Sequence, residues 1–158
     1  MSQHCHHHNC IGELKSDHQT ILKHLNDLEK AINQPTINHA EVEEFLHFTE
    51  TFAEPHHQKE EQVLFPALER KGIPNEGGPI GMMIMEHMAK RDYLIKMREA
   101  LKENNEDKLK ENTRDMISLL RDHIYKEDNI LYPCAQDALT KDELINLASQ
   151  CEKIKIRK

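Results

Sequence analysis

The sequence predicts an all-α fold: an up-down-up-down four-helix bundle closed by a short fifth helix. Three observations carry this expectation. The chain of 158 residues has only 5 Gly and no Trp, and no long alternating run of β-branched residues appears in it. Apolar residues recur in steps of three and four over four long stretches. Short polar connections join those stretches, which makes successive helices antiparallel neighbours.

The first helix is expected from Ile11 to Ile32, on the seam Leu14, His18, Ile21, Leu25, Leu28 and Ile32. A polar turn at Gln34-Pro35-Thr36 leads to a second helix from Asn38 to Arg70, with seam Val42, Phe45, Thr49, Phe52, His56, Glu60, Val63 and Ala67. Pro55 interrupts it and predicts a kink or restart. Residues 71–79, KGIPNEGGP, form the clearest loop. The third helix follows with seam Ile80, Ile84, His87, Arg91, Leu94, Arg98 and Leu101. Helix four starts near Glu106 and carries Met116, Leu120, His123, Glu127, Ile130 and Cys134. Thr140-Lys141-Asp142-Glu143 is a capping box that opens the fifth helix. Residues 1–10 read as a His- and Cys-rich tail and 11–158 as a single domain, long enough to bury a core.

Composition narrows the function. A net charge of −7 and the lack of a basic stripe with interleaved aromatics argue against a nucleic-acid binder. No apolar run reaches the roughly 20 residues of a membrane span. The N-terminal MSQHCHHHNC lacks a charged-then-apolar signal pattern, so a cytoplasmic location is expected. The four cysteines do not resemble a disulfide framework and are expected as thiols. Cys134 reads as buried, and Met82, Met83, Met85 and Met88 read as core filling.

One motif occurs twice. His56-x-x-Lys59-Glu60 continues through Glu61, Val63, Leu64, Phe65 and Pro66; His123-x-x-Lys126-Glu127 continues through Asp128, Ile130, Leu131, Tyr132 and Pro133. His and Glu four residues apart share a helix face, so each copy aims an imidazole and a carboxylate the same way. The seams then bring His18, His56, Glu60, His87, His123 and Glu127 into the bundle interior. Any one of these histidines alone would read as a satisfied core residue. Six polar groups in one layer would not: an unpaired buried carboxylate costs several kcal/mol and an unsatisfied imidazole about 1–3 more, against a net stability of roughly 5–15 kcal/mol. Arg91 and Arg98 offer the carboxylates charge but the imidazoles no acceptor. Cations bridged by the two carboxylates satisfy every group, and imidazole with carboxylate suits iron, manganese or zinc. His57 and Glu61, with Leu64 and Leu68, form a competing register; the alignment with His123 and Glu127 favours His56 and Glu60, leaving His57 as a flanking residue. His24, His39 and His47 fall off the seam and read as solvated. Cys5-His6-His7-His8-Asn9-Cys10 is a weaker metal-binding candidate.

HHQKEEQVLFPALE at 56–69, KGIPNEGGPIGMMIMEH at 71–87 and RDHIYKEDNILYP at 121–133 together resemble the hemerythrin-like (HHE cation-binding) proteins, over about residues 11–138. The resemblance implies a four-helix bundle holding two non-heme iron ions with an oxo or hydroxo bridge. It further implies His18, His56, His87 and His123 as terminal ligands and Glu60 and Glu127 as bridges. True hemerythrins have a second histidine four residues along the third helix, where this chain has Arg91. The departure implies an open coordination position and favours reaction with oxygen, peroxide or nitric oxide over simple oxygen carriage. An inward Arg91 would hydrogen-bond the bound species. The functions implied are a binding or sensing module for such a diatomic or peroxide ligand, an enzyme of peroxide or nitric oxide detoxification or of iron–sulfur repair, and a non-catalytic metal store or zinc scaffold. A ferritin plan fails, because neither His87 nor His123 has Glu three residues before it.

Overall fold

In the computed structural model, which describes residues 9–154, the bundle begins with α1 (Cys10–Ile32). Asn9 caps it by accepting from the Ile11 and Gly12 amides, and Cys10 is its first residue and part of the core. The second helix, α2, runs over 39–70. Pro79–Glu103 forms α3, residues 106–138 form α4, and Lys141–Cys151 forms α5. No strand occurs among the described residues. Residues 1–8, including most of the Cys5–Cys10 candidate site, lie outside them.

Local chemistry sets each boundary. Asn38 accepts from the Glu41 amide and Asn105 from the Lys108 amide, so α2 and α4 both open on an asparagine cap. Asn104, with φ of 55°, takes the left-handed conformation that ends α3 and reverses the chain. The Thr140 capping box is present in both directions: its hydroxyl accepts from the Glu143 amide and the Glu143 carboxylate from the Thr140 amide. At the other end, a Cβ on Gly81 would stand 2.3 Å from the Asn75 carbonyl oxygen. Glycine there lets the 71–78 loop lie against the start of α3.

Neither α2 nor α4 is uniformly α-helical. The amides of Glu54, Phe65 and Tyr132 donate to the carbonyls of Thr49, Glu60 and Glu127, five residues back rather than four. In each case the next residue is a proline: Pro55, Pro66 or Pro133. Proline has no amide to give, and its ring clashes with the carbonyl one α-turn earlier; a π turn widens the helix at that point and lets it continue. The expected break at Pro55 is thus a π turn within a continuous helix.

Each π turn adds one residue and advances the seam. After Glu127 the inward positions are Leu131, Tyr132 and Ala135, while Ile130, expected on the seam, is 56% exposed and Cys134 is only half-buried. On α3 the buried stripe is Ile80, Met83, His87, Lys90, Leu94, Met97 and Ala100. Arg91 and Arg98, expected inside, instead sit at the rim on Glu54 and Glu50. Both choices follow steps of three and four, and at 90 and 91 the apolar pattern does not distinguish them because both are basic, whereas Met97 beside Arg98 favours the observed stripe. Of the expected methionine core cluster only Met83 is buried; Met82, Met85 and Met88 are exposed. His24 is not simply solvated either, since its ring stacks on Phe48 at 3.7 Å.

Two apolar clusters fill the bundle. One gathers Ile11, Leu14, Leu64, Leu68, Ile80 and Leu131 with Leu144 and Leu147 of α5. The other gathers Ile21, Leu25, Leu28, Val42, Leu94, Met97, Met116 and Leu120. Cys10 and Cys151 bring their sulfurs to 3.9 Å, tying the ends of α1 and α5 together as thiols. Between the clusters lies a polar layer.

The π turn in α4 makes a testable inversion. Leu131→Ala should cost about 2–5 kcal/mol in chemical denaturation. Ile130→Ala should stay within about 0.5 kcal/mol of the parent; on an uninterrupted α-helix Ile130 would share the inward face with Glu127 and its truncation would be costly too.

Candidate metal centre

The polar layer holds His18 from α1, His56, His57 and Glu60 from α2, His87 and Lys90 from α3, and His123 and Glu127 from α4. None of these is more than 2% exposed. All six residues expected at the centre are therefore brought together, and His57, expected to flank them, is buried with them. Ligand-capable atoms of His18, His56, Glu60 and Glu127 lie within 4.8 Å of one another, as do those of Glu60, His87, His123 and Glu127. The two sets share both carboxylates.

A ring of outer carboxylates orients the imidazoles. Asp17 of α1 stands 3.0 Å from His56 Nδ1, and Glu61 of α2 stands 2.6 Å from His87 Nδ1. Glu86 of α3 is 2.8 Å from His123 Nδ1, and Asp128 of α4 closes the circle at 2.9 Å from His18 Nδ1. Each helix thus braces the imidazole of the next. An ionised carboxylate only accepts, so each ring carries a proton on Nδ1, which leaves Nε2 as the nitrogen a metal would take. Arg91 clamps Glu54 through two nitrogens, at 3.1 and 2.8 Å, and reaches Glu61 at 3.2 Å. Lys126 pairs with Glu86. Arg91 therefore stiffens the brace of His87; it does not enter the centre as expected.

Sequence reasoning assigned none of the four as a brace: Glu61 appeared only in the competing register with His57, and Asp128 only as a position of the repeated motif. The signal was present: Asp17 precedes His18, Glu86 precedes His87, and Glu61 and Asp128 follow Glu60 and Glu127. A residue beside an inward one on a helix points about 100° away, toward the adjacent helix. Tyr132 was also missed. Its hydroxyl donates to Glu60 Oε2 at 2.5 Å and lies 3.3 Å from His18 Nε2 and Glu127 Oε1. Burial, with Glu127 and Glu60 alongside, holds the Tyr132 phenol well above its ordinary pKa, so it remains a donor.

Five of the inward atoms are unsatisfied, although His18 Nε2 meets Glu127 Oε1 at 2.9 Å. His56 Nε2, His87 Nε2, His123 Nε2, Glu60 Oε1 and Glu127 Oε2 are buried without a hydrogen-bond partner among the described residues; the remaining such atom, Thr113 Oγ1, lies elsewhere on α4. His87 Nε2 is 3.2 Å from Glu60 Oε1 and His123 Nε2 is 3.2 Å from Glu127 Oε2, yet neither contact is aligned for a hydrogen bond. Unpartnered imidazole nitrogens and carboxylate oxygens gathered in this way fit the donor set of a cation site.

The sequence profile described as Hemerythrin HHE cation binding domain matches residues 10–135. The chain belongs to that family. No curated protein and no solved structure gives a significant match. In this HHE domain the buried His and Glu groups form the candidate site for the family's cations, and the position where hemerythrins carry a further histidine on the third helix is the rim residue Arg91.

Protonation of the metal-free domain follows from the same contacts. Burial works against a charged His123, but Glu127 and Glu86 outweigh it and push its pKa up to about 10. His18 and His87 are raised for the same reason, burial being overcome by Glu127 and by Glu60 with Glu61, respectively. Burial lowers Lys90 to about 8. A raised histidine stabilises the fold fully below its unfolded value of 6.5, and that contribution fades as pH rises toward the folded value. Lys90 does the reverse only above about pH 8, where the folded amine is already neutral and the unfolded one is not. Metal-free protein should therefore lose stability from pH 6.5 to 8. Urea midpoints across that window test this; a flat or rising profile refutes it.

Proposed function

We propose that this HHE domain is a hemerythrin-type di-iron protein that binds or reacts with a small oxidant: oxygen, peroxide or nitric oxide. The observation that carries the reading is the set of unpartnered Nε2 and carboxylate atoms between the four helices. His18 and His56 would serve one ion and His87 and His123 the other, with Glu60 and Glu127 between them. Neutral nitrogen and ionised oxygen donors in this ratio suit iron over calcium or magnesium, and thiolate is absent from the layer. A bound iron pair would supply one-electron redox chemistry and open coordination positions for a diatomic or peroxide.

The chain's own groups prepare that chemistry. Asp17, Glu61, Glu86 and Asp128 fix the imidazole tautomers. Tyr132 fixes one oxygen of Glu60 and keeps its proton near both carboxylates. The apolar clusters on either side exclude water from the layer, which strengthens every electrostatic contact within it. No described helix is long and apolar enough to cross a membrane.

Full-length protein loaded with iron(II) without oxygen should bind two irons per chain and, on oxidation, develop ferric absorption in the near ultraviolet. Repetition after deleting residues 1–8 removes any contribution of the tail histidines. Glu60→Ala and Glu127→Ala should each abolish the pair. Colourless protein holding only zinc, or one iron per chain, would overturn the assignment. Glu86→Gln removes the charge that fixes His123 and should weaken metal affinity about 10–100-fold.

A further inference from the structure

His57 differs from the other four buried histidines in what faces its Nδ1. Theirs meets a carboxylate; His57 Nδ1 meets the Lys90 amine at 3.2 Å. Lys90 is fully buried, with Glu54 Oε1 at 3.9 Å as its nearest carboxylate. The His57 ring stacks on His87 at 4.0 Å and lies edge-on to His56 and His123, at 5.5 and 6.0 Å. One of its nitrogens is within 4.8 Å of nitrogens of His87 and His123. By distance alone it is a fifth imidazole for the second ion.

Proton bookkeeping gives another answer. An ammonium only donates, so Nδ1 of His57 must accept from Lys90. A ring that accepts a hydrogen bond at Nδ1 holds its proton on the other ring nitrogen. That proton therefore sits on Nε2, the ring nitrogen that Lys90 leaves free. An N–H nitrogen has no lone pair for a metal.

We propose that His57 is not a metal ligand but the hydrogen-bond donor of the centre, presenting Nε2–H to an anionic or oxygenated ligand held there. Lys90 is its positioning residue, the counterpart of the four outer carboxylates with the opposite sign. The proposal rests on the two-metal reading and refines it: four imidazoles bind metal, and the fifth recognises what the metals bind. Specificity for small anions and oxygen species follows, because a buried donor without an acceptor is left unsatisfied by a ligand that lacks one.

The test uses the full chain loaded with zinc as a diamagnetic probe. Long-range nitrogen–proton NMR of the histidine rings should find four buried rings protonated on Nδ1 and one on Nε2, and the latter signal should vanish in His57→Phe. A fifth Nδ1-protonated ring overturns the proposal. In parallel, iron-loaded His57→Phe should keep two metals per chain and lose about tenfold in azide affinity, the effect of one charge-assisted hydrogen bond. His57→Gln, whose amide can donate, should recover part of that loss. Loss of one metal in His57→Phe, or unchanged azide binding, refutes the donor role. Parent protein that never holds two metals refutes the underlying reading instead, so the two failures are distinct.

Discussion

Two carboxylates cannot share an apolar interior without a counter-charge, and the rest of this structure answers that constraint. Glu60 and Glu127 are both fully buried and adjacent. Burial and the Glu127 charge push the Glu60 pKa up, while the neighbouring histidines overcome burial and hold Glu127 well below its ordinary range. In metal-free protein the pair is thus kept by borrowed protons, from Tyr132 on one side and from His123 and His18 on the other. A cation pair would replace those protons with two fixed charges. Metal binding and proton release are therefore one event in such a layer.

The bundle topology and the site share one design. Four antiparallel helices in cyclic order each contribute an inward donor and, one residue away, an outward carboxylate that reaches the next helix. The ring from Asp17 to His56, Glu61 to His87, Glu86 to His123 and Asp128 to His18 passes through all four helices and closes. Such a ring couples ligand orientation to helix packing: a helix that rotates misplaces its own donor and its neighbour's brace together. Rigid supports of this kind set donor geometry before any ion arrives.

Proline placement contributes to the same end. Glu60 and Glu127 each begin a π turn that a proline imposes. The turn leaves the His-x-x-x-Glu face on regular α-helix and moves the residues beyond it by one position. Tyr132 enters the layer for that reason; on an uninterrupted helix Ile130 would take the inward place. The repeated Pro66 and Pro133 are thus part of the site although neither touches it.

By itself the sequence determined the helical class, the helix boundaries to within a residue or two, the fifth-helix capping box and the six inward groups. Those properties depend on local periodicity and on a motif repeated within the chain, both of which are one-dimensional. Which side chains meet across the helices was decided only in three dimensions. Lys90 and Arg91 are adjacent basic residues on a stripe that tolerates either, and the choice falls to Lys90 because Glu54 and Glu61 of another helix capture Arg91 at the rim. His57 likewise looked like a mere flanking residue of His56, since a helical wheel carries no knowledge of the amine that faces it from α3. Periodicity says which way a side chain points along its own helix; what it meets there is a property of the packed bundle.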